Sequence, residues 1–229
     1  WDVTLAGSHN SNVVVDLGID PASGKARIIG AGGQTRQIKG YPLNSQWFRG
    51  YTFADANGDG VLQVSEVHVD SAFQFRGYNA ARDIFSITSG FDLLNKKLRI
   101  NAMFDYKGGG NLIDGANNFQ CTTSPNACRE TQDPTAPLWM QARAIAKLYG
   151  TRIGATTFKT SGGYFQSDQF WRFREFSAVW QLPNAALRPI RADVGSSLVL
   201  AVRNIHWWGS FTGIDPEANY GLNGSDSQN

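Results

Sequence analysis

The chain has 229 residues, with 25 glycines, 14 phenylalanines, 7 tryptophans and 7 tyrosines against only 17% charged residues. That balance favours glycine-punctuated, aromatic-rich β-structure over helical packing, and a net charge of +2 is too small to point to nucleic acid as a partner. No run of about 18 apolar residues occurs, which excludes transmembrane helices but leaves open a transmembrane β-barrel, whose strands signal only through short alternation. No leader-type segment is visible at Trp1.

The first stretch that carries chemistry is "DANGDGVLQVSE", Asp55 to Glu66. Acidic or amide residues stand at its first, third, fifth and twelfth positions and glycine at the sixth, the pattern of a calcium-binding loop. Asp55, Asn57 and Asp59 would offer side-chain oxygens, Val61 its backbone carbonyl, Gln63 a direct or water-mediated contact and Glu66 a bidentate carboxylate, with Gly60 at the sharp turn. The flanks, "SQWFRGYTFA" and "VSEVHVDSAFQF", are β-branched, aromatic and alternating rather than amphipathic helices. The expected Ca2+ is therefore structural, a pin between two strands, and the competing reading is a plain Asp-Asn-Gly turn without metal.

In "KLRINAMFDYK", Leu98, Ile100, Ala102, Phe104 and Tyr106 share one face, and Arg99, Asn101, Met103, Asp105 and Lys107 the other. A soluble sandwich would turn the apolar face to its core; a barrel would turn it to lipid and the charged face to a wet lumen. Residues 108–161 then form a long segment rich in Gly, Asn, Thr and Pro. Within it, Cys121 and Cys128 read as a disulfide and hence an oxidising compartment, the alternatives being a metal pair or free thiols. "APLWMQARAIAKLYG" spaces Leu138, Ala142, Ile145, Ala146 and Tyr149 as a short helix, expected at the mouth of a barrel.

"SDQFWRFREFSAVWQLP" is a further strand. Uniform alternation puts Arg172 and Arg174 on the side of Phe170 and Phe176, so that side is expected to change from basic to apolar, and Pro183 ends the run. In "SSLVLAVRNIHWWG", Leu198, Leu200 and Val202 share a face, Arg203 takes the other, and Trp207 and Trp208 close it as headgroup-region residues do. The linkers "SGFDLLNKK" and "PNAALRPIRADVG" are short, so short turns alternate with one long loop, as in outer-membrane barrels.

No nucleophile elbow, zinc helix, P-loop or complete dinucleotide-binding glycine motif is present, and His9, His68 and His206 lack motif context, so no enzyme is expected. A secreted, calcium-stabilised β-sandwich that binds carbohydrate on Trp47, Trp171, Trp207 or Trp208 stands as the alternative to a barrel.

In order, "VVVDLG", "IKGYPLNSQWFRGY", "ADANGDGVLQ", "FDYKGG", "FWRFREFSAVWQLP" and "RNIHWWGSFTGIDPE" resemble the C-terminal barrel part of SusC/RagA-type TonB-dependent outer-membrane receptors. The resemblance covers most of the chain. It implies an all-β fold, a partial antiparallel transmembrane β-barrel with short periplasmic turns and long extracellular loops, the 55–66 and 108–161 loops lying outside the cell. It also implies import of a large nutrient of glycan or peptide class, with the chain as part of the barrel wall. The implied partners are a SusD-like surface lipoprotein, outer-membrane lipid and the TonB complex, the last through an N-terminal region. No plug, Ton box or final aromatic-ended strand is visible, so residues 1–229 are expected to be one segment of such a barrel. The substrate-binding residues are not indicated.

Overall fold

The computed structural model describes residues 1–123, 128–183, 195–213 and 215–217. In chain order the strands are β1 (Asp2–His9), β2 (Thr35–Arg36), β3 (Ser45–Phe53), β4 (Val67–Gly77), β5 (Asp83–Leu93), β6 (Leu98–Gly108), β7 (Asn111–Ile113), β8 (Thr151–Ile153), β9 (Thr156–Phe158), β10 (Phe165–Ser167), β11 (Phe170–Gln181) and β12 (Ser197–Gly209). The α-helices are α1 (Gly115–Thr123), α2 (Arg129–Gln132) and α3 (Leu138–Leu148). The fold is thus mostly antiparallel β-sheet with few helices. The linker at 183–195, expected as a short turn, lies largely outside the described residues.

Two compact units emerge, where the sequence suggests one continuous segment: residues 1–10, 82–108 and 169–209 form the first, and 11–81, 109–168 and 210–229 the second. The first is a single five-stranded antiparallel sheet in the order β1-β5-β6-β11-β12. Its register sorts side chains cleanly. Leu5, Ile87, Phe104 and Phe173 form one cross-strand row, Ala102, Phe176 and Val202 lie in the next, and Leu93, Leu98, Trp180 and Leu198 in another. Phe104 and Phe173 stack at 4.4 Å between ring centres.

Among the described residues of the unit, no second layer covers this face. Leu5 and Leu200 are each 63% exposed, Val202 58% and Trp180 43%. The opposite face is ionic: the Arg99 guanidinium donates to Asp2 at 2.7 Å and to Asp92 at 3.1 Å, and the Arg203 Nε donates to Glu175 at 2.8 Å. Arg99 reaches Asp2 by crossing Gly90, where any Cβ would collide with its guanidinium.

One expectation fails here for a clear reason. Between Phe173 and Glu175 the β11 register slips on both neighbours, with Arg174 as the extra residue against β6. The bulge resets the alternation, so Trp171, Phe173, Phe176, Ala178 and Trp180 stay on the apolar face, while Arg172, Glu175 and Ser177 stay on the ionic one. No side changes from basic to apolar. The Arg174 Nε donates to Asp105 at 2.9 Å and its Nη1 to Asn204 at 3.1 Å, the latter at φ +52° in the matching irregularity of β12.

Connectivity follows a simple rule. Leu94 to Lys96 turn tightly between β5 and β6, whereas both long excursions, from β1 to β5 and from β6 to β11, leave the opposite end of the strands, where His9 pairs with Asp83 and Asp83 with Gly108.

The second unit combines the three-stranded sheet β2-β3-β4, the pairs β7-β10 and β8-β9, and the helices. Helix α3 forms where the sequence spacing places it, and Ala142, Ile145 and Ala146 of its expected stripe are buried, Leu138 is half-buried, and Tyr149, just past the helix end, is exposed. Ala142, Ile145 and Ala146 pack with Leu62, Val67 and Val69, joined by Tyr51, Leu138 and Phe158. The described residues between 109 and 161 therefore include helices and short strands, and α3 and Phe158 contribute to this core. A second small core gathers the disulfide, Tyr164 and Ile113.

Candidate functional site

The 55–66 loop is tightly wound. Both Asp55 carboxylate oxygens accept backbone N–H groups, from Gly58 at 2.8 Å and Gly60 at 2.9 Å. Glu66 closes the far end, its oxygens accepting from Ala56 at 2.9 Å and Gln63 at 2.8 Å. Asp59 accepts from the Val61 N–H at 2.8 Å and from the Asn57 amide at 2.8 Å. Gly60 sits at φ +80°, a conformation closed to most side chains. Each carboxylate oxygen of Asp55 and Glu66 accepts one backbone hydrogen bond and keeps a further lone pair, so with Asn57, Asp59, Gln63 and the Val61 carbonyl the donor set is all hard oxygen, the chemistry Ca2+ would require.

Among the described residues, the one group of three His, Cys, Asp or Glu side chains with ligand atoms all within 4.8 Å is Cys121, Cys128 and Glu130, so Asp55, Asp59 and Glu66 are more widely spread.

A contact that the motif does not reveal anchors this loop. Gln141 of α3, buried, accepts from the Leu62 N–H at 2.8 Å and donates to the Gly60 carbonyl at 3.0 Å and the Ala136 carbonyl at 2.8 Å. One amide thus ties the loop to the helix across about eighty residues of sequence.

Cys121 and Cys128 are joined in a disulfide with Cα atoms 4.9 Å apart, so the cysteines of the Cys121, Cys128 and Glu130 group are consumed and do not ligate metal. Beside it lies a buried ion pair. The Arg143 guanidinium donates to Glu130 through Nε at 2.9 Å and through Nη2, and the Tyr164 hydroxyl donates to the other Glu130 oxygen at 2.9 Å. Burial, followed by the Glu130 charge, pushes the Tyr164 hydroxyl far above its usual range.

The tryptophans divide between the two units, and Trp171 is the cross-strand partner of Trp208. Trp47 belongs to the second unit, packed by Tyr41 at 4.8 Å and Phe75 at 5.7 Å; Trp171 and Trp208 lie on the apolar face of the first unit's sheet, and Trp207 pairs with Arg172 on the other. The histidines stand on three separate strands: His9 Nδ1 lies 2.5 Å from Asp83, His68 pairs with Thr52 in register, and His206 packs on Trp208 at 4.7 Å.

A cavity of about 370 Å³ in the second unit brings together Arg49, Lys147 and Lys159 with Thr160 and Ser161. Its cations come from distant segments with no shared motif, which is why the sequence does not announce it.

No family model matches the chain, and no curated protein matches it. Among solved structures the fold is similar to one described as the structure of the RagAB peptide transporter, with TM-score 0.56 and 18% identity, covering 81% of this chain and 21% of that one. It is also similar to the RagAB peptide importer in the "open-open" state, with TM-score 0.54 and 18% identity, covering 94% of this chain and 24% of that one. The chain spans about a quarter or less of the length of those structures. At this identity the likeness is one of fold.

Proposed function

We propose that the chain is part of the barrel wall of a SusC/RagA-type TonB-dependent outer-membrane receptor that imports a large nutrient of glycan or peptide class. The observation that carries this reading is the single-layer sheet with one continuous apolar face left bare and one ionic face. In water such a face would be covered; in a barrel it meets lipid, with the ionic face toward the lumen. The fold likeness to a peptide transporter supports the same reading. The partners would be a SusD-like lipoprotein, outer-membrane lipid and the TonB complex. In this reading the 55–66 loop is extracellular and holds a structural Ca2+ through Asp55, Asn57, Asp59, Val61, Gln63 and Glu66.

The test is lipid exposure residue by residue. Environment-sensitive labels placed singly from Leu198 to Val202, with the chain in phospholipid vesicles, should be quenched by bilayer quenchers at Leu198, Leu200 and Val202 and spared at Val199 and Ala201. A chain that stays in the aqueous phase, with no alternation, would instead favour the secreted calcium-stabilised sandwich.

A further inference from the structure

The cavity lined by Arg49, Lys147 and Lys159 contains no carboxylate. Arg36 stands beside it: its guanidinium lies over the Phe73 ring at 3.8 Å, and that of Arg49 lies over the same ring at 4.1 Å. Phe73 is itself part of the cavity wall. Four cations therefore gather around one hollow. Among the described residues, none of them forms an ion pair. Arg49 donates to the Ser71 carbonyl at 3.1 Å, Lys147 to the Ser161 hydroxyl at 2.7 Å, and Arg36 to the Gly33 carbonyl at 2.9 Å.

The hollow is partly sheltered: Lys159 is exposed, whereas Arg49 and Lys147 are half-buried. Arg36 is only 8% exposed and its Nη2 is buried without a hydrogen-bond partner, while Thr160 and Ser161 are 6% and 3% exposed. The charges are felt mutually. Burial and then Arg49 hold the Arg36 guanidinium below its usual range, and burial and then Lys159 do the same to the Lys147 ammonium. Partly desolvated like charges without a counterion raise the free energy of the site, and an anion entering it would relieve that repulsion while accepting charge-assisted hydrogen bonds. Guanidinium, ammonium and hydroxyl donors together match the tetrahedral or forked oxygens of an oxyanion.

We propose that this cavity binds a small ligand through a doubly charged oxyanion, of phosphate or dicarboxylate chemistry. The proposal does not depend on the membrane reading, since every residue it uses lies within the second unit.

Inorganic phosphate and succinate, each compared with chloride at matched ionic strength, are the probes, and binding to the full chain is followed by calorimetry and thermal melting. Phosphate or succinate should bind saturably and raise the melting temperature where chloride does not, and the tighter of the two identifies the anion source. Arg49→Gln and Lys147→Met should each weaken binding about tenfold or more. Lys159→Gln, at an exposed position that disturbs no core packing, should weaken it severalfold and covers the case in which the others fail to fold. Arg152→Gln, on β8 outside the cavity, should leave it unchanged. Equal effects of chloride, or phosphate and succinate binding indifferent to Lys159→Gln and Arg49→Gln, would overturn the proposal.

Discussion

Glu130 and Arg143 show how much a single residue carries in this protein. Arg143 is 1% exposed, and among the described residues the carboxylate that pairs with it is Glu130, which also takes the Tyr164 hydroxyl. Removing one partner leaves the other buried and uncompensated, so Glu130→Gln or Arg143→Met should cost about 3–5 kcal/mol in chemical denaturation, and the double replacement less than the sum. Lys147 provides a pH signature. Its folded-state pKa lies below its unfolded value, so the unfolded chain holds the proton more tightly in that window, and stability should climb as pH rises through the lowered value toward 10.5. Denaturation midpoints taken across that range should lose this slope in Lys147→Met. Sequence reading reached the cysteine pair from its spacing, but not Glu130, Arg143 and Tyr164, because their pairing depends on tertiary contacts that leave no periodic trace.

At the scale of elements, alternation made β6 and β12 legible, and apolar spacing did the same for α3. It misled on β11, where one inserted residue at Arg174 resets the phase and no composition cue marks a bulge. Deleting Arg174 should therefore leave a regular alternation with Phe176, Ala178 and Trp180 still on the apolar face, and circular dichroism with detergent solubility should report a retained sheet that has lost only the Arg174 contacts to Asp105 and Asn204. The 55–66 loop was legible as a motif, whereas its tie to α3 through Gln141 was not. Gln141→Leu strands the Leu62 N–H and the Gly60 carbonyl and should cost about 1–3 kcal/mol. If Ca2+ occupies the loop, added Ca2+ at roughly a hundred times its dissociation constant should stabilise the chain by about 2.7 kcal/mol, and Glu66→Gln should abolish the gain in melting experiments.

Over the whole molecule, the two faces of the five-stranded sheet make opposite demands. Leu200→Arg places a charge on the bare apolar face and should cost about 2–4 kcal/mol of folding free energy in vesicles, whereas Ala201→Arg on the ionic face should cost little. Reversible unfolding from lipid vesicles measures both. Sequence alternation gave the chemistry of these faces; what it withheld was that two separate excursions would fold together into a second compact unit, since contacts between residues 11–81 and 109–168 carry no local signal.

Both excursions leave the same end of the sheet, and that shared exit bears on time as well as shape. Bringing β1 to β5, or β6 to β11, means closing a flexible loop of about sixty to seventy residues, an entropic cost of roughly 4 kcal/mol each. Pairing of β3 with β4 inside the first loop, and of β7 with β10 together with the disulfide inside the second, shortens each before its ends meet. The effective length of each closure falls, and the strand pairs of this high-contact-order sheet should form faster than their sequence separation alone would allow.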